Sequence, residues 1–83
     1  MALYAIEFER PADQALRGIG DIQQAIEVPS AIRTLEENPR LGLQNPNAET
    51  NYLLQAGRYW LVYFIDEGKQ IVRIVSILRG SPT

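Results

Sequence analysis

Two apolar runs near the C-terminus constrain this chain more than any other feature. Residues 57–65 read GRYWLVYFI and residues 71–80 read IVRIVSILRG, with the short polar segment DEGKQ between them. Runs of β-branched and aromatic residues joined by a short glycine-containing segment are typical of a β-hairpin. We therefore predict strands at residues 59–65 and 71–78, joined by a type I turn in which Gly68 takes the left-handed conformation.

A short strand and two helical segments are predicted before the hairpin. Residues 3–8 alternate weakly between apolar and polar, as in a strand with one buried face. Residues 11–19 carry apolar side chains every three or four positions, as in a helix. Asp21 is a predicted N-cap. The helical pattern after it runs to Asn38 and is interpreted as one kinked helix or two pieces, because Pro29 interrupts it.

The element order predicts the fold class. Residues 40–49 are predicted to form a polar loop, and residues 52–54 begin a strand that Gly57 breaks. The order is therefore β-α-α-β-β-β within a single domain of residues 1–83. Helices cannot bury their apolar stripes alone, so we expect an α+β fold with both helices on one face of a small antiparallel sheet.

Both faces of the predicted hairpin are apolar. If Ile65 pairs with Lys69, alternation along the strands defines two sides. The side predicted to be core carries Trp60, Val62, Val72 and Ile74. The other side carries side chains that suit a protein partner or a nucleotide, namely Tyr59, Tyr63, Arg73 and Arg79.

The absence of two residue types excludes several kinds of site. The chain has no histidine and no cysteine, which excludes a thiol nucleophile, a zinc centre and a Ser-His-Asp triad. We expect no metal and no cofactor. The formal net charge is −2, whereas nucleic-acid-binding domains usually carry a basic excess. There is no signal-peptide pattern and no apolar run near the ~20 residues of a membrane span, so we expect a cytoplasmic protein.

Three stretches of the chain look like consecutive segments of one known family. YAIEFERPADQAL resembles its first strand and the start of its first helix, IRTLEENPRLG its second helix, and NYLLQAGRYWLVYFIDEGKQIVRIVSILRG its terminal three-stranded sheet. The family is the RelE/ParE toxin superfamily of bacterial type II toxin–antitoxin systems. The resemblance implies a growth-inhibiting toxin that a cognate antitoxin protein neutralises. RelE-type members cleave mRNA on the ribosome without a metal, whereas ParE-type members inhibit DNA gyrase.

The resemblance also singles out candidate site residues. Arg79 falls where the family has a histidine or an arginine at the end of the last strand. Trp60 stands where many members place an arginine, so Arg58, two residues earlier and on the same side, is the candidate replacement. The predicted catalytic residues are Arg79, Arg58 and Tyr59, and the predicted substrate- or partner-binding residues are Arg73, Tyr63 and Lys69.

Three functions stay open at this point. Metal-free RNA cleavage needs groups that deprotonate the 2′-OH and protonate the leaving oxygen. The chain offers one lysine, in a predicted turn, so Tyr59, Tyr63 or a carboxylate would have to serve. An mRNA endonuclease, a gyrase inhibitor and a non-catalytic protein-interaction module with the same fold are therefore the alternatives. The antitoxin is the expected partner, and the ribosome with its mRNA, DNA gyrase and a second copy of the chain are left open.

Overall fold

The computed structural model describes residues 3–80, in which two α-helices pack on a five-stranded sheet. The helices are α1 (Arg10–Arg17) and α2 (Ile22–Thr34), followed by a short 3-10 helix at Pro39–Leu41. The strands are β1 (Ala5–Phe8), β2 (Leu43–Asn45), β3 (Ala48–Ala56), β4 (Tyr59–Asp66) and β5 (Ile71–Arg79). No helix among residues 3–80 is long and apolar enough to cross a membrane.

The sheet has the strand order β1-β5-β4-β3-β2. Strand β1 is parallel to β5, and all other neighbours are antiparallel. The predicted α+β fold with both helices on one face is confirmed. The sheet is mixed rather than purely antiparallel, because the long connection from β1 through the helices permits a parallel pair. Residues 43–45, predicted as loop, form the edge strand β2, because pairing with β3 supplies the hydrogen bonds that the local sequence does not predict.

Helix α2 begins as predicted and continues through its proline. The carboxylate of Asp21 accepts hydrogen bonds from the backbone N–H groups of Gln23 and Gln24, at 2.8 and 3.3 Å. Pro29 lies inside α2 without ending it. A proline removes the hydrogen bond to the carbonyl four residues earlier, but the helix keeps its other bonds and its buried face. The second helical segment is therefore one helix, which ends at Thr34.

The core lies between the helices and one face of the sheet. The helical part of the chain contributes Ala12, Val28, Ile32 and Leu35. The strands contribute Tyr52, Ala56, Leu61, Tyr63, Ile65, Val72, Ile74 and Ile77. Burial of each larger side chain stabilises the fold by about 1.5–3 kcal/mol relative to exposure. This layer therefore supplies most of the stabilisation available to so short a chain.

The turn between β4 and β5 is longer than predicted. Ile65 pairs with Val72 instead of Lys69. The left-handed residue is Gln70, with φ of 55°, rather than Gly68. The extra turn residues move β5 along β4 and change the pairing throughout the hairpin.

A β-bulge in β5 adds a second shift. Val62 pairs with Ser76 and Tyr63 pairs with Ile74, so Val75 has no partner of its own. Alternation on β5 is therefore interrupted at Val75. The hairpin side chains that face the helices are Leu61, Tyr63, Ile65, Val72, Ile74 and Ile77.

The prediction for the core side of the hairpin is half wrong. Val72 and Ile74 are fully buried, as expected. Trp60 and Val62 are half-buried and alternate with the core residues of β4, so they face away from the helices. Both sides of the hairpin are apolar, and hydrophobic periodicity cannot distinguish them.

The sheet surface that the helices leave uncovered is called the helix-free face below. Its main side chains are Leu43, Leu53, Trp60, Val62, Phe64, Arg73 and Leu78. Leu43 is 70% exposed and Leu78 is 54% exposed. A cavity of about 330 Å³ lies beside Leu43, Leu53 and Val62. The helix-free face is therefore a mainly apolar surface with one arginine.

Candidate functional site

Two arginines meet at the end of the sheet where β3 turns into β4. Arg58 lies in that turn, and Arg79 is the last residue of β5 and pairs across the strands with Tyr59. The backbone N–H of Gly80 donates to the carbonyl of Arg58 at 3.0 Å, which ties the end of β5 to the turn. The structure thus brings together the three residues that were predicted to be catalytic.

The two arginines line a pocket, called the arginine pocket below. It has a volume of about 270 Å³ and is lined by Gln55, Gly57, Arg58, Arg79 and Gly80. Three other arginines form ion pairs in the structure, namely Arg17 with Asp13, Arg40 with Glu67 and Arg73 with Glu7. Within residues 3–80, neither arginine of the pocket forms an ion pair. Two arginines that line one pocket, neither of them paired with a carboxylate among residues 3–80, favour binding of a phosphate or a carboxylate.

The arginine pocket offers little for proton transfer. Its lining consists of amide, glycine and arginine groups, and the guanidinium group does not titrate in proteins. Tyr59 lies beside the pocket, half-buried and packed against the core. Among the residues described, no group of three or more His, Cys, Asp or Glu side chains is placed to hold a metal ion. The pocket is therefore suited to holding an anion.

Two further predicted residues lie elsewhere on the sheet. Lys69 is in the β4–β5 turn, whereas Arg79 is at the opposite end of β5, a strand that spans about 26 Å at 3.3 Å per residue. Arg73 lies on the helix-free face, where its guanidinium group pairs with Glu7 at 2.9 Å. The same group lies 5.8 Å from the centre of the Phe64 ring. Neither residue belongs to the arginine pocket.

Tyr63, predicted as a binding residue, lies in the core. Its side chain is 0% exposed. Its hydroxyl donates a hydrogen bond to the carbonyl of Pro39 at 2.8 Å and accepts one from the backbone N–H of Gly42 at 3.0 Å. Its ring stacks on Tyr52 with 5.5 Å between the ring centres. The face prediction was wrong for Tyr63, because alternation along β4 places it with Leu61 and Ile65 on the side that the helices cover.

Trp60 does not contribute to the arginine pocket. It faces the helix-free side, and its indole N–H is buried without a hydrogen-bond acceptor among residues 3–80. Its cross-strand neighbours on that face are Gln55 and Leu78. Trp60 is thus an apolar side chain on an apolar surface, and the cations of the pocket come from Arg58 and Arg79.

Two residues that hold the pocket together were not predicted. Gln24 on α2 is buried, and its side-chain oxygen accepts a hydrogen bond from the backbone N–H of Arg58 at 2.6 Å. Gly57 has φ of 62° and lies directly against Gln24. A signal for Gln24 exists in the sequence, because it precedes Val28 and Ile32 at helical spacing and so shares their buried face.

Solved structures with the same fold include toxins and toxin–antitoxin complexes. The isolated RelE toxin of E. coli matches with a TM-score of 0.83 at 19% identity, covering 96% of this chain and 87% of that chain. The RelBE2 toxin–antitoxin complex of Mycobacterium tuberculosis matches with 0.74 at 26% identity, covering 93% and 98%. The chromosomal ParDE system of P. aeruginosa matches with 0.73 at 13% identity, covering 95% and 98%. No curated protein sequence matches the chain.

A family model extends the match from the fold to the sequence. The model that describes the ParE toxin of the parDE type II toxin–antitoxin system matches residues 6–82. That range includes both helices, the arginine pocket and all of the sheet except the first residue of β1. The resemblance inferred from the sequence is confirmed. The chain therefore belongs to the ParE toxin family and is a toxin component of type II toxin–antitoxin systems.

Proposed function

We propose that this toxin arrests growth by binding DNA gyrase through the arginine pocket, and that a cognate antitoxin holds it inactive. The observation that carries the proposal is the pocket's composition. Arg58 and Arg79 supply two cations without carboxylate partners among residues 3–80, and the lining contains no carboxyl, imidazole, phenol or amine group that could act as an acid or a base. Such a pocket can hold a carboxylate or a phosphate of a macromolecular target without transforming it.

The same composition weighs against RNA cleavage. In-line cleavage needs a base for the 2′-OH and an acid for the leaving oxygen, both close to the scissile phosphate. Lys69 lies in the turn at the opposite end of β5 from Arg79, and the hydroxyl of Tyr63 is already held by Pro39 and Gly42. Tyr59 would have to perform both transfers. Arginine alone stabilises a pentacovalent phosphate, but it moves no proton.

An antitoxin partner is supported by the complexes that share this fold. The matching structures from Mycobacterium tuberculosis and P. aeruginosa are described as toxin–antitoxin systems. The helix-free face gives this chain an apolar surface of the kind that a protein partner covers. We expect a small protein to be encoded next to this one and to copurify with it in a complex that restores growth.

The test compares the chain with two double variants of equal charge. Arg58→Ala/Arg79→Ala removes the pocket cations, and Arg10→Ala/Arg33→Ala removes two exposed cations on the helices. Each is induced in a bacterium without the antitoxin, and purified protein is added to a gyrase supercoiling assay. We expect the wild type and the control to arrest growth and inhibit supercoiling. We expect the pocket variant to lose at least tenfold in inhibition, since loss of each charge-assisted contact costs about 1.5–3 kcal/mol.

A primer-extension assay on cellular mRNA separates the alternatives. If growth arrest is accompanied by new mRNA ends while supercoiling is unimpaired, the toxin cleaves RNA and does not inhibit gyrase. Unhindered growth in the presence of folded wild-type protein would reject both activities and leave the non-catalytic interaction module. Circular dichroism of every variant checks that the compared proteins are folded.

A further inference from the structure

Among the charged and amide side chains of residues 3–80, Gln24 alone is buried. It is 6% exposed and lies near the start of α2, on the face that also carries Val28 and Ile32. A buried amide without partners destabilises a fold by about 1–3 kcal/mol. Its position therefore requires hydrogen bonds that satisfy both ends of the amide.

Both ends of the Gln24 amide are bound. The oxygen accepts a hydrogen bond from the backbone N–H of Arg58 at 2.6 Å. The nitrogen donates to one carboxylate oxygen of Glu27 at 3.2 Å. The other oxygen of Glu27 accepts from the side chain of Gln23 at 3.3 Å. The amide of Gln24 is thus oriented by Glu27 and aimed at the turn that carries Arg58.

The Arg58 peptide is in turn fixed from both sides. Gln24 binds its N–H, and the N–H of Gly80 donates to its carbonyl at 3.0 Å. Gly80 follows Arg79 directly. Hydrogen bonds therefore connect α2, through the backbone of Arg58, to Gly80 at the end of β5. They fix the backbone positions from which the side chains of Arg58 and Arg79 extend.

The neighbouring glycine shows how closely the turn approaches α2. Gly57 has φ of 62°, a conformation that other residues adopt at a cost. A Cβ atom at this position would collide with the side chains of Gln24 and Glu27. The turn therefore packs directly against the Gln24 amide.

We propose that Gln24 is a positioning residue that fixes the arginine pair of this toxin in its binding geometry. The consequence for affinity rests on the proposed function of the pocket. If the two long side chains are ordered before the target binds, less conformational entropy is lost on binding. Without Gln24, the turn loses its anchor on α2, and the two arginines lose their fixed spacing.

The first experiment removes the amide and keeps its size. Gln24→Met is compared with Gln14→Met, the same change at an exposed glutamine of α1 that takes no part in these hydrogen bonds. In ¹⁵N relaxation spectra we expect the Arg58 amide and the Arg58 and Arg79 Nε–H groups to become more mobile in Gln24→Met alone. We expect its gyrase inhibition to weaken about tenfold, which corresponds to about 1.4 kcal/mol, because the two arginine side chains are no longer ordered before the target binds.

A swap of two side chains provides the rescue. Gln24→Glu places two carboxylates side by side and should mobilise the pocket. Gln24→Glu/Glu27→Gln restores both hydrogen bonds with the donor on residue 27, and should return the Arg58 amide to wild-type order. Val28→Ala, on the same buried face, controls for lost stability: it should lower the melting temperature without mobilising the arginines of the folded protein.

The readouts separate this inference from the proposed function. The positioning role is overturned if Arg58 and Arg79 are no more mobile in Gln24→Met than in the wild type. It is also overturned if they are as mobile in Val28→Ala as in Gln24→Met. If the wild type fails to inhibit gyrase while the relaxation results follow the expected pattern, the target is wrong and the positioning role stands.

Discussion

The Tyr63 hydroxyl lies where β4, the 3-10 helix and the start of β2 come together. It links the carbonyl of Pro39 to the N–H of Gly42. A Cβ atom at Gly42 would lie 2.7 Å from this hydroxyl and from the carbonyl oxygen of Leu53. Position 42 therefore accommodates only glycine without a shift of its neighbours. Tyrosine is suited to this position because its ring packs in the core while its hydroxyl satisfies two backbone groups.

We expect Tyr63→Phe to lower the free energy of unfolding by about 1–3 kcal/mol, because two buried backbone groups lose their partner. Urea unfolding followed by the fluorescence of Trp60, the sole tryptophan, measures the change. Tyr52→Phe is the matched control, since this neighbouring tyrosine makes no hydrogen bond through its hydroxyl within residues 3–80. An equal loss in both variants would contradict the role of the Tyr63 hydroxyl.

The wild type and Tyr63→Phe also test how the stability linked to Tyr63 depends on pH. Burial raises the pKa of the Tyr63 hydroxyl above its usual value of 10.0, against a smaller opposing effect of the Gly42 N–H. The stability linked to Tyr63 is therefore fully present below pH 10 and is lost as the pH rises from 10 through the raised pKa. The difference in unfolding free energy between wild type and Tyr63→Phe should shrink over that range. A constant difference would reject the linkage.

At the scale of elements, the β3–β4 turn and α2 act as one unit. The turn has a left-handed glycine, and the helix places a buried amide against it. Neither feature alone marks a site. Gly57 reads as an ordinary strand break, and Gln24 reads as a polar residue in an amphipathic helix.

We expect Gly57→Ala to destabilise the protein by about 2 kcal/mol or more. The positive φ costs an L-residue roughly 1–2 kcal/mol, and the added Cβ displaces the Gln24 side chain. Gly20→Ala is the control, because a Cβ there meets no atom within 4 Å, and it should be neutral or stabilise by a few tenths of a kcal/mol. Chemical denaturation compares the two, and equal stability would show that the turn does not rest on α2.

At the scale of the whole molecule, the sheet has one covered and one uncovered apolar side. The helices cover the face that carries Leu61 and Tyr63, while the helix-free face keeps Leu43 and Leu78 in contact with solvent. Exposed apolar surface of this kind promotes association between proteins. The uncovered face therefore limits the solubility of the chain more than its stability.

We expect Leu43→Ser/Leu78→Ser to change the free energy of unfolding by less than about 1 kcal/mol, since both side chains are largely exposed, and to delay aggregation on heating. Light scattering and urea unfolding measure the two effects. Leu61→Ser, at a fully buried position, is the contrast and should cost about 3 kcal/mol or more. A large loss of stability in the double variant would mean that this face belongs to the core.

The sequence alone determined the two helical segments, the first strand and the hairpin strands, the α+β class, and the positions of Arg73 and Arg79 in the last strand. Helical spacing, the Asp21 cap and the apolar runs are local signals, and they act over a few residues. The absence of histidine and cysteine likewise restricts the chemistry that the chain can perform, whatever its fold. The family resemblance rested on the order of the same local elements.

Tertiary structure decided which face of the hairpin is buried and which residues share a site. A shift of one residue in strand register moves a whole set of side chains to the other face. The longer turn that places Gln70, not Gly68, in the left-handed region and the bulge at Val75 set that register. Tyr63 was thereby placed in the core, Trp60 on the helix-free face, and Arg58 beside Arg79. Gln24 reaches Arg58 across 34 residues of sequence, and such a contact arises only when α2 packs on the sheet.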